Sequence, residues 1–264
     1  MAAYTHGHAE SVLRSHRWRT AENSAAYLMP HLDAGAHLLD VGAGPGTITA
    51  DLAQRVAHVT ATEIGEAELD LTRATITDRG IGNVDFRVAD VHRLPFDDDT
   101  FDVTHAHQVL QHVADPVQAL REMARVTRPG GIIAVRDSDY SAFTWWPASP
   151  QLEEWLRLYL DAARANGGEP DAGRRLLGWA HAAGLDQVAA GSSTWCFADE
   201  ADRSWWGGMW ADRIVDSGIA RQLVDSGAAT PGDLREIREA WLRWAAHPDG
   251  WFSILHGEIL CRVP

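Results

Sequence analysis

Between residues 37 and 137, short apolar runs alternate with segments whose apolar residues recur at helical spacing. The apolar runs are predicted strands, at 37–41, 58–64, 84–90, 101–108 and 130–137. The segments with helical spacing lie between them, at 47–56, 67–80 and 116–127. Strands separated by helices of this length predict an α/β fold, in which a parallel sheet with right-handed crossovers carries helices on both faces.

The two flanks of this alternation have different patterns. Residues 1–35 carry helical signals, among them an Ala- and Leu-rich stretch that ends near Pro30, and they predict an N-terminal helical cap. Helical patterns, strand-like runs and a Trp-rich helical stretch follow residue 138, at 150–167, 174–184, 187–197, 199–248 and 251–263. The sequence therefore predicts one sheet domain over 36–264, with a helical substrate lid inserted at about 199–248.

Composition narrows the class of protein. The formal net charge of -14 argues against binding to DNA or RNA, because contact with a phosphate backbone depends on Lys and Arg. No stretch approaches the roughly 18 consecutive apolar residues of a membrane helix, and the N-terminus lacks a signal-peptide apolar stretch, so we expect no membrane insertion and a cytoplasmic protein. Cys196 and Cys261 lack the spacing of a zinc site or disulfide framework, and we expect both to be apolar filler.

A glycine-rich turn follows the first predicted strand. Gly42, Gly44 and Gly46 let the backbone approach a ligand closely, and the next helix begins there with unpaired N–H groups. Glu63 ends the second strand about 20 residues later, where a carboxylate can accept both hydroxyls of a ribose. The alternative is a tight turn and a surface acid without a ligand.

Several motifs then succeed one another in a recognisable order. They are DVGAGPGT (40–47), Glu63, Ala89-Asp90-Val91, FDVTHAHQVLQHVADP (101–116) and Arg128-Pro129-Gly130-Gly131. Over about 36–137 the chain resembles the class I S-adenosylmethionine (SAM)-dependent methyltransferases, in particular the subgroup of ubiquinone/menaquinone-biosynthesis C-methyltransferases (type 11) and many small-molecule enzymes. The resemblance implies a Rossmann-like seven-stranded sheet of order 3-2-1-4-5-7-6 with strand 7 antiparallel, and segments 187–197 and 251–263 supply strands six and seven.

The resemblance also implies a cofactor site. The residues that it assigns to SAM are Asp40, Gly42, Gly44, Gly46, Glu63, Ile64, Asp90, Val91, Gln108 and Arg19. Within this set, the glycines pass beside the methionine part with Asp40 near its amino group, Glu63 binds the ribose, and Ile64 packs on the adenine. Asp90 and the Val91 N–H bind the adenine edge, and Gln108 flanks the transferred methyl. Arg19 pairs with the SAM carboxylate, or it is a solvated charge.

Three histidines near the fourth strand are candidates for a general base. His105 and His107 share one strand face, and His112 follows the strand. Imidazole suits a base that works near neutral pH, although methyl transfer needs little beyond a nucleophile held in line with the methyl group. The alternative is that all three are packing histidines, and in this subgroup His112 is commonly structural.

Aromatic residues are the candidates for acceptor binding. They are Tyr4, Trp18, Trp145, Trp146, Trp205 and Trp206. Aromatic side chains here form an apolar lid over a planar acceptor, or they pack the interface of a helical cap or a dimer. Trp155 and Trp179 are expected in the core. The acidic run 97–99 is expected to be a solvated turn, and we predict no metal site.

Taken together, these observations predict a methyltransferase that acts on a small molecule. It transfers a methyl group from SAM to carbon, oxygen or nitrogen of a small, partly apolar or aromatic metabolite, and S-adenosylhomocysteine (SAH) is the second product. Two alternatives are a non-catalytic SAM-binding protein and a nicotinamide-dependent oxidoreductase, the latter disfavoured by the G-x-G-P-G spacing. The expected partner is the acceptor alone, without nucleic acid, and the protein is expected to be a monomer or homodimer.

Overall fold

The apolar runs of the first half form parallel strands of one central sheet. The computed structural model describes residues 15–264, so Tyr4 and residues 1–14 of the predicted cap lie outside the described residues. The strands are β1 His37–Val41, β2 His58–Glu63, β3 Val84–Val88, β4 Phe101–His107, β5 Thr127–Ser138, β6 Thr144–Trp146, β7 Val188–Phe197 and β8 Trp251–Arg262. The α-helices are α1 Ala21–Ser24, α2 Thr47–Ala53, α3 Glu66–Asp78, α4 Pro116–Val126, α5 Pro150–Ala165, α6 Leu176–Ala182, α7 Glu200–Asp216, α8 Gly218–Asp225 and α9 Pro231–Ala246.

The sheet has the order β3-β2-β1-β4-β5-β8, and β8 runs antiparallel to β5. The second edge of β8 pairs with β7 over ten residues of register, from Val188 to Phe197. Because β7 and β8 are the sixth and seventh strands of the expected order, the predicted fold class is confirmed. The short strand β6 was not predicted, and it pairs with the first residues of β8, opposite β7.

Local sequence explains where several helices begin. Asp115, Ser149 and Thr230 each accept a hydrogen bond from a backbone N–H in the first helical turn, and a proline follows each of them. Proline fits the first helical position because its missing N–H has no intrahelical partner there. Pro231 and Gly232 thus begin α9. None of the helices in the described part of the chain is long and apolar enough to cross a membrane.

Two apolar clusters cover the faces of the sheet. One lies under α4 and α6 and includes Leu120, Met123 and Leu176. The other lies under α1 and α2 and includes Leu28 and Leu52. These clusters fix the strand ends, and with them the polar side chains that emerge at the carboxyl edge.

A third cluster joins the helices of the predicted lid to α5 and β8. Trp155 of α5, Trp210 of α7 and Trp241 of α9 are fully buried, with ring centroids of Trp155 at 4.6 and 4.9 Å from those of Trp210 and Trp241. Phe252 of β8 packs on Trp241 at 5.4 Å. Helices α7, α8 and α9, which form the predicted lid, therefore share a continuous core with the sheet. Burial of each indole contributes on the order of 3–5 kcal/mol.

Candidate active site

A cavity of about 430 Å³ opens at the carboxyl ends of β1, β2 and β4. Many of the residues predicted from the sequence line it, namely Arg19, Asp40, Gly42, Gly44, Glu63, Ile64, Asp90, Val91, His105, His107, Gln108, His112 and Trp206. Five others do not line it: Gly46, Trp18, Trp145, Trp146 and Trp205. The crevice beyond the carboxyl ends of parallel strands is where open α/β sheets bind ligands.

The glycine turn has two functions. Gly42, Gly44 and Gly46 have φ values of 68°, 57° and 80°, in the left-handed region that favours glycine. A Cβ at Gly42 would lie 2.5 Å from Val109 Cγ2, and one at Gly46 would lie 2.8 Å from Thr72 Cγ2. A Cβ placed at Gly44 would have no atom within 4 Å outside its chain neighbours, so this side of the turn leaves room for a ligand. Gly46 instead allows close packing of the turn on α3.

Glu63 lies across the turn from Gly44. Its Oε1 accepts from the Gly44 N–H at 2.6 Å and its Oε2 from the Ile64 N–H at 3.2 Å. Burial raises the pKa of Glu63, and these two backbone hydrogen bonds only partly oppose it. Ile64, beside it, is 58% exposed, an unusual state for a large apolar side chain that lines a cavity. A flat apolar group placed there would remove Ile64 from water.

Asp90 and Val91 line the same cavity. Asp90 Oδ1 accepts from the His92 N–H at 3.0 Å and lies 2.6 Å from His92 Nδ1. Burial raises the pKa of Asp90, but the two hydrogen bonds from His92 outweigh it, so the net shift is downward. The carboxylate is therefore held ionised, ready to accept from a polar edge of a ligand.

Asp40 lies directly beneath the glycine turn. Its Oδ1 accepts from His105 Nδ1 at 2.8 Å, and its Oδ2 accepts from the Thr49 hydroxyl at 2.6 Å. Parallel pairing of β1 with β4 places Asp40 and His105 side by side in register. Both residues are buried, so each oxygen of the carboxylate is bound within the protein.

Gln108 directly follows β4 and has a strained backbone. Its φ of 54° lies in the left-handed region, which costs a residue other than glycine roughly 1–2 kcal/mol. The side chain is held at both ends: Oε1 accepts from Arg19 Nη2 at 2.6 Å, and Nε2 lies 2.9 Å from His256 Nε2. Strain maintained by such contacts is typical of functional sites.

The three candidate histidines differ in environment. Both ring nitrogens of His107 are buried without a hydrogen-bond partner in the described residues 15–264, whereas His105 is bound to Asp40. Burial, followed by the Arg19 and Arg136 guanidinium groups, holds the pKa of His107 well below its usual range. Burial lowers the pKa of His112 to about 4. At neutral pH His107 is thus an uncharged imidazole that lines the cavity.

Aromatic side chains line another part of the cavity. We define the aromatic chamber by Tyr140, Phe143, Trp195, Trp206 and Ile254, all of which line the cavity. Trp195 lies 5.8 Å from His107 between ring centroids, and Trp206 stacks on Phe197 at 4.4 Å. The chamber therefore lies next to the unpartnered imidazole.

The other predicted acceptor residues lie outside this chamber. Trp18 packs on Trp195 and Trp205 at 5.1 and 5.3 Å, behind the cavity wall. Trp145 stacks on Phe252 at 5.8 Å, and Trp146 is 60% exposed on β6. Trp18, Trp205 and Trp145 therefore pack within the fold.

Sequence reasoning missed several buried groups next to the site. Arg136 of β5 pairs with Glu258 at 3.0 Å and lies 4.9 Å above the Trp195 ring. Burial raises the pKa of the neighbouring Asp137 to about 7. His256 contacts Gln108 as described above. The sequence did offer one signal for these residues, because charged or polar side chains are unusual inside predicted strands. Only the pairing of β5, β7 and β8, however, brings these residues to the site.

Metal ligands are not grouped in the described part of the chain, where no three His, Cys, Asp or Glu side chains form a possible metal site. In the acidic run, Asp98 pairs with Arg125 at 2.8 Å. Asp99 has a φ of 57° in the turn before β4.

Comparisons with known proteins agree with this architecture. The family described as "Methyltransferase domain" matches residues 39–135. An uncharacterized methyltransferase of Schizosaccharomyces pombe is 34% identical over 98% of this chain and 96% of its own length. A ubiquinone/menaquinone biosynthesis C-methyltransferase of Idiomarina loihiensis is 42% identical over 38% of this chain and 42% of its own length. Phosphoethanolamine N-methyltransferase 2 of Haemonchus contortus, solved with phosphomonomethylethanolamine and SAH, shares the fold with a TM-score of 0.57 at 15% identity, over 91% of this chain and 52% of that one.

Proposed function

The chain belongs to the class I SAM-dependent methyltransferases, and we propose that it methylates a small, partly aromatic molecule held in the aromatic chamber. The observation that carries the proposal is the continuity of one cavity, which runs from the glycine turn at Gly44 to Trp195 and Trp206. A donor and an acceptor that share a cavity react without leaving it, and such proximity supplies much of the rate of methyl transfer.

The turn region fits SAM in shape and chemistry. The open space at Gly44 admits the ligand, Glu63 offers a carboxylate for the ribose hydroxyls, and Ile64 presents an apolar face for the adenine. Asp90 offers an ionised carboxylate for the adenine edge, with Val91 beside it. Bound SAM supplies an electrophilic methyl group.

The chain's own residues orient the acceptor and exclude water. The chamber walls Tyr140, Phe143 and Trp206 are buried and contact a planar acceptor on its faces. His107 has one ring nitrogen that can accept a proton from the acceptor's nucleophilic atom. The proposal leaves carbon, oxygen and nitrogen acceptors open, because an uncharged imidazole serves each.

The test measures methylation of a panel of hydroxylated, aminated and quinone-like aromatic compounds. Transfer from isotopically labelled SAM is followed by mass spectrometry for the native protein, His107→Asn and Trp206→Ala. We expect turnover with at least one aromatic compound and a loss of about 10²-fold or more in kcat/KM for His107→Asn if it serves as the base. The matched control is His181→Asn, since His181 is exposed outside the cavity.

Two results would contradict the proposal. If SAM binds but no compound is methylated, a non-catalytic SAM-binding function becomes the better account of the cavity. If acceptors are methylated equally well by Trp206→Ala, the acceptor lies outside the aromatic chamber.

A further inference from the structure

The pair formed by Asp40 and His105 leaves a single polar atom uncommitted. Asp40 accepts from His105 Nδ1 through Oδ1 and from Thr49 through Oδ2. His105 Nε2 is buried and has no hydrogen-bond partner among residues 15–264. A buried nitrogen without a partner costs about 1–3 kcal/mol, so its persistence points to a ligand.

The hydrogen bond to Asp40 determines what this atom can do. A carboxylate accepts only, so Nδ1 of His105 carries a proton, and an imidazole that holds this one proton has a lone pair on Nε2. The pair then carries the single negative charge of Asp40, and the imidazole presents its Nε2 lone pair to the cavity. Such a pair is complementary to a cationic donor, and it repels a carboxylate.

The position of the pair indicates which cationic group of a ligand it binds. His105 lines the cavity next to the glycine turn, because β1 and β4 place it in register with Asp40, two residues before Gly42. The adenosine end lies on the other side of the turn, at Glu63, Ile64 and Asp90. We infer that His105 Nε2, oriented by Asp40, accepts a hydrogen bond from the α-ammonium group of bound SAM.

This inference changes the expected roles of both residues. Asp40 acts as a positioning residue that sets the tautomer of His105, and His105 contacts the cofactor. The role of general base for the acceptor is then left to His107. The inference rests on the SAM site and is independent of the identity of the acceptor.

A binding cycle tests the contact directly. Calorimetry compares SAH with its deamino analogue, in which hydrogen replaces the α-amino group, on the native protein, Asp40→Asn and His105→Phe. A hydrogen bond to a charged group is worth about 1.5–3 kcal/mol, so the native protein is expected to bind SAH at least about tenfold more tightly than the analogue. In both variants the two ligands are expected to bind within about twofold of each other, because the acceptor atom is lost or becomes a donor.

Glu63→Gln is the matched control, since it weakens both ligands and preserves the ratio between them. A native ratio near one, or a ratio that persists in both variants, would overturn the inference. Absence of binding of either ligand to the native protein would overturn it together with the SAM site, whereas failed turnover with intact SAH binding bears only on the proposed acceptor.

A second measurement covers the case in which a variant does not fold. In native protein labelled with ¹⁵N-histidine, His105 is expected as the Nδ1–H tautomer, and SAH should move its Nε2 resonance upfield. The deamino analogue should leave that resonance in place. Equal shifts with both ligands would sink the assignment.

Discussion

The Arg19 guanidinium donates to the side-chain oxygen of Gln108 at 2.6 Å, across 89 residues of sequence. This hydrogen bond joins the N-terminal segment to the end of β4, and both residues line the cavity. Gln108 in turn reaches His256 on β8. Three distant parts of the chain thus meet at one side-chain amide beside the site.

Replacement of Arg19 by methionine keeps the apolar stem and removes this hydrogen bond. The resemblance also pairs Arg19 with the cofactor carboxylate, which SAH shares with SAM. We therefore expect SAH affinity to fall about tenfold, because a hydrogen bond to a charged group is worth about 1.5–3 kcal/mol. Amide exchange over residues 15–28 should become faster. Calorimetry and hydrogen exchange check both effects, and Arg55→Met, at an exposed position outside the cavity, is the control. Unchanged exchange in Arg19→Met would show that the bond does not hold the segment.

Glu63→Gln should weaken SAH binding about tenfold or more, since the ribose loses a charged acceptor. Burial raises the pKa of Glu63, so native affinity should decline on acidification earlier than an ordinary glutamate would cause. Calorimetry over a pH series measures both. Glu66→Gln, an exposed partner of Arg73, is the matched control and should bind SAH as the native protein does. If the two variants behave alike, Glu63 is not part of the site.

Asp137→Asn should change how stability depends on pH. The pKa of the carboxyl is about 7 in the folded protein, raised mainly by burial, and about 3.9 in the unfolded chain. Between these values the folded state retains a proton that the unfolded state has lost, so Asp137 destabilises the native protein progressively as pH rises from about 4 to 7.

Relative to the native protein, Asp137→Asn should therefore gain about 2–3 kcal/mol of unfolding free energy between pH 5 and pH 7. Urea denaturation at several pH values measures the difference. Asp186→Asn, at an exposed position, should show no such trend. A constant difference between Asp137→Asn and the native protein would contradict the buried, protonated carboxyl.

The tryptophans separate into core and surface by their burial. Trp155→Ala should lower the unfolding free energy by about 3–5 kcal/mol, because the side chain is fully buried among Trp210 and Trp241. Trp146→Ala removes the same side chain from a position that is 60% exposed, and should cost less than about 1 kcal/mol. Urea denaturation of both variants measures the contrast. Similar losses would show that the aromatic cluster is not a packed core.

The sequence was most informative where structure is local. The turn at Gly42–Gly46 follows β1, Glu63 ends β2, and Asp90 lies two residues after β3, so their convergence at one sheet edge follows from the parallel order of the strands. The pattern of apolar residues also predicted β7 and β8, although their place in the strand order came from the family resemblance. The fold class was therefore within reach of the sequence.

The aromatic chamber, in contrast, could not be predicted from the sequence. Trp195 and Ile254 meet because β7 and β8 pair in one particular register, and no local pattern encodes which residues face each other across that pair. Among the tryptophan pairs, Trp206 lines the cavity while Trp205 beside it does not. Helix rotation decides between them, and it is set by the packing of α7 on α9 rather than by composition.

The pairing of β8 also determines the order in which the site can be built during synthesis. Strands β5, β6 and β7 leave the ribosome before residues 251–262, with α7, α8 and α9 in between. Until β8 arrives, Trp195 has no opposing Ile254, and the indoles of the lid have no Phe252 to pack on. The glycine turn and Glu63 need only earlier strands, so a nascent chain can complete the proposed nucleoside-binding half of the site before the aromatic chamber forms.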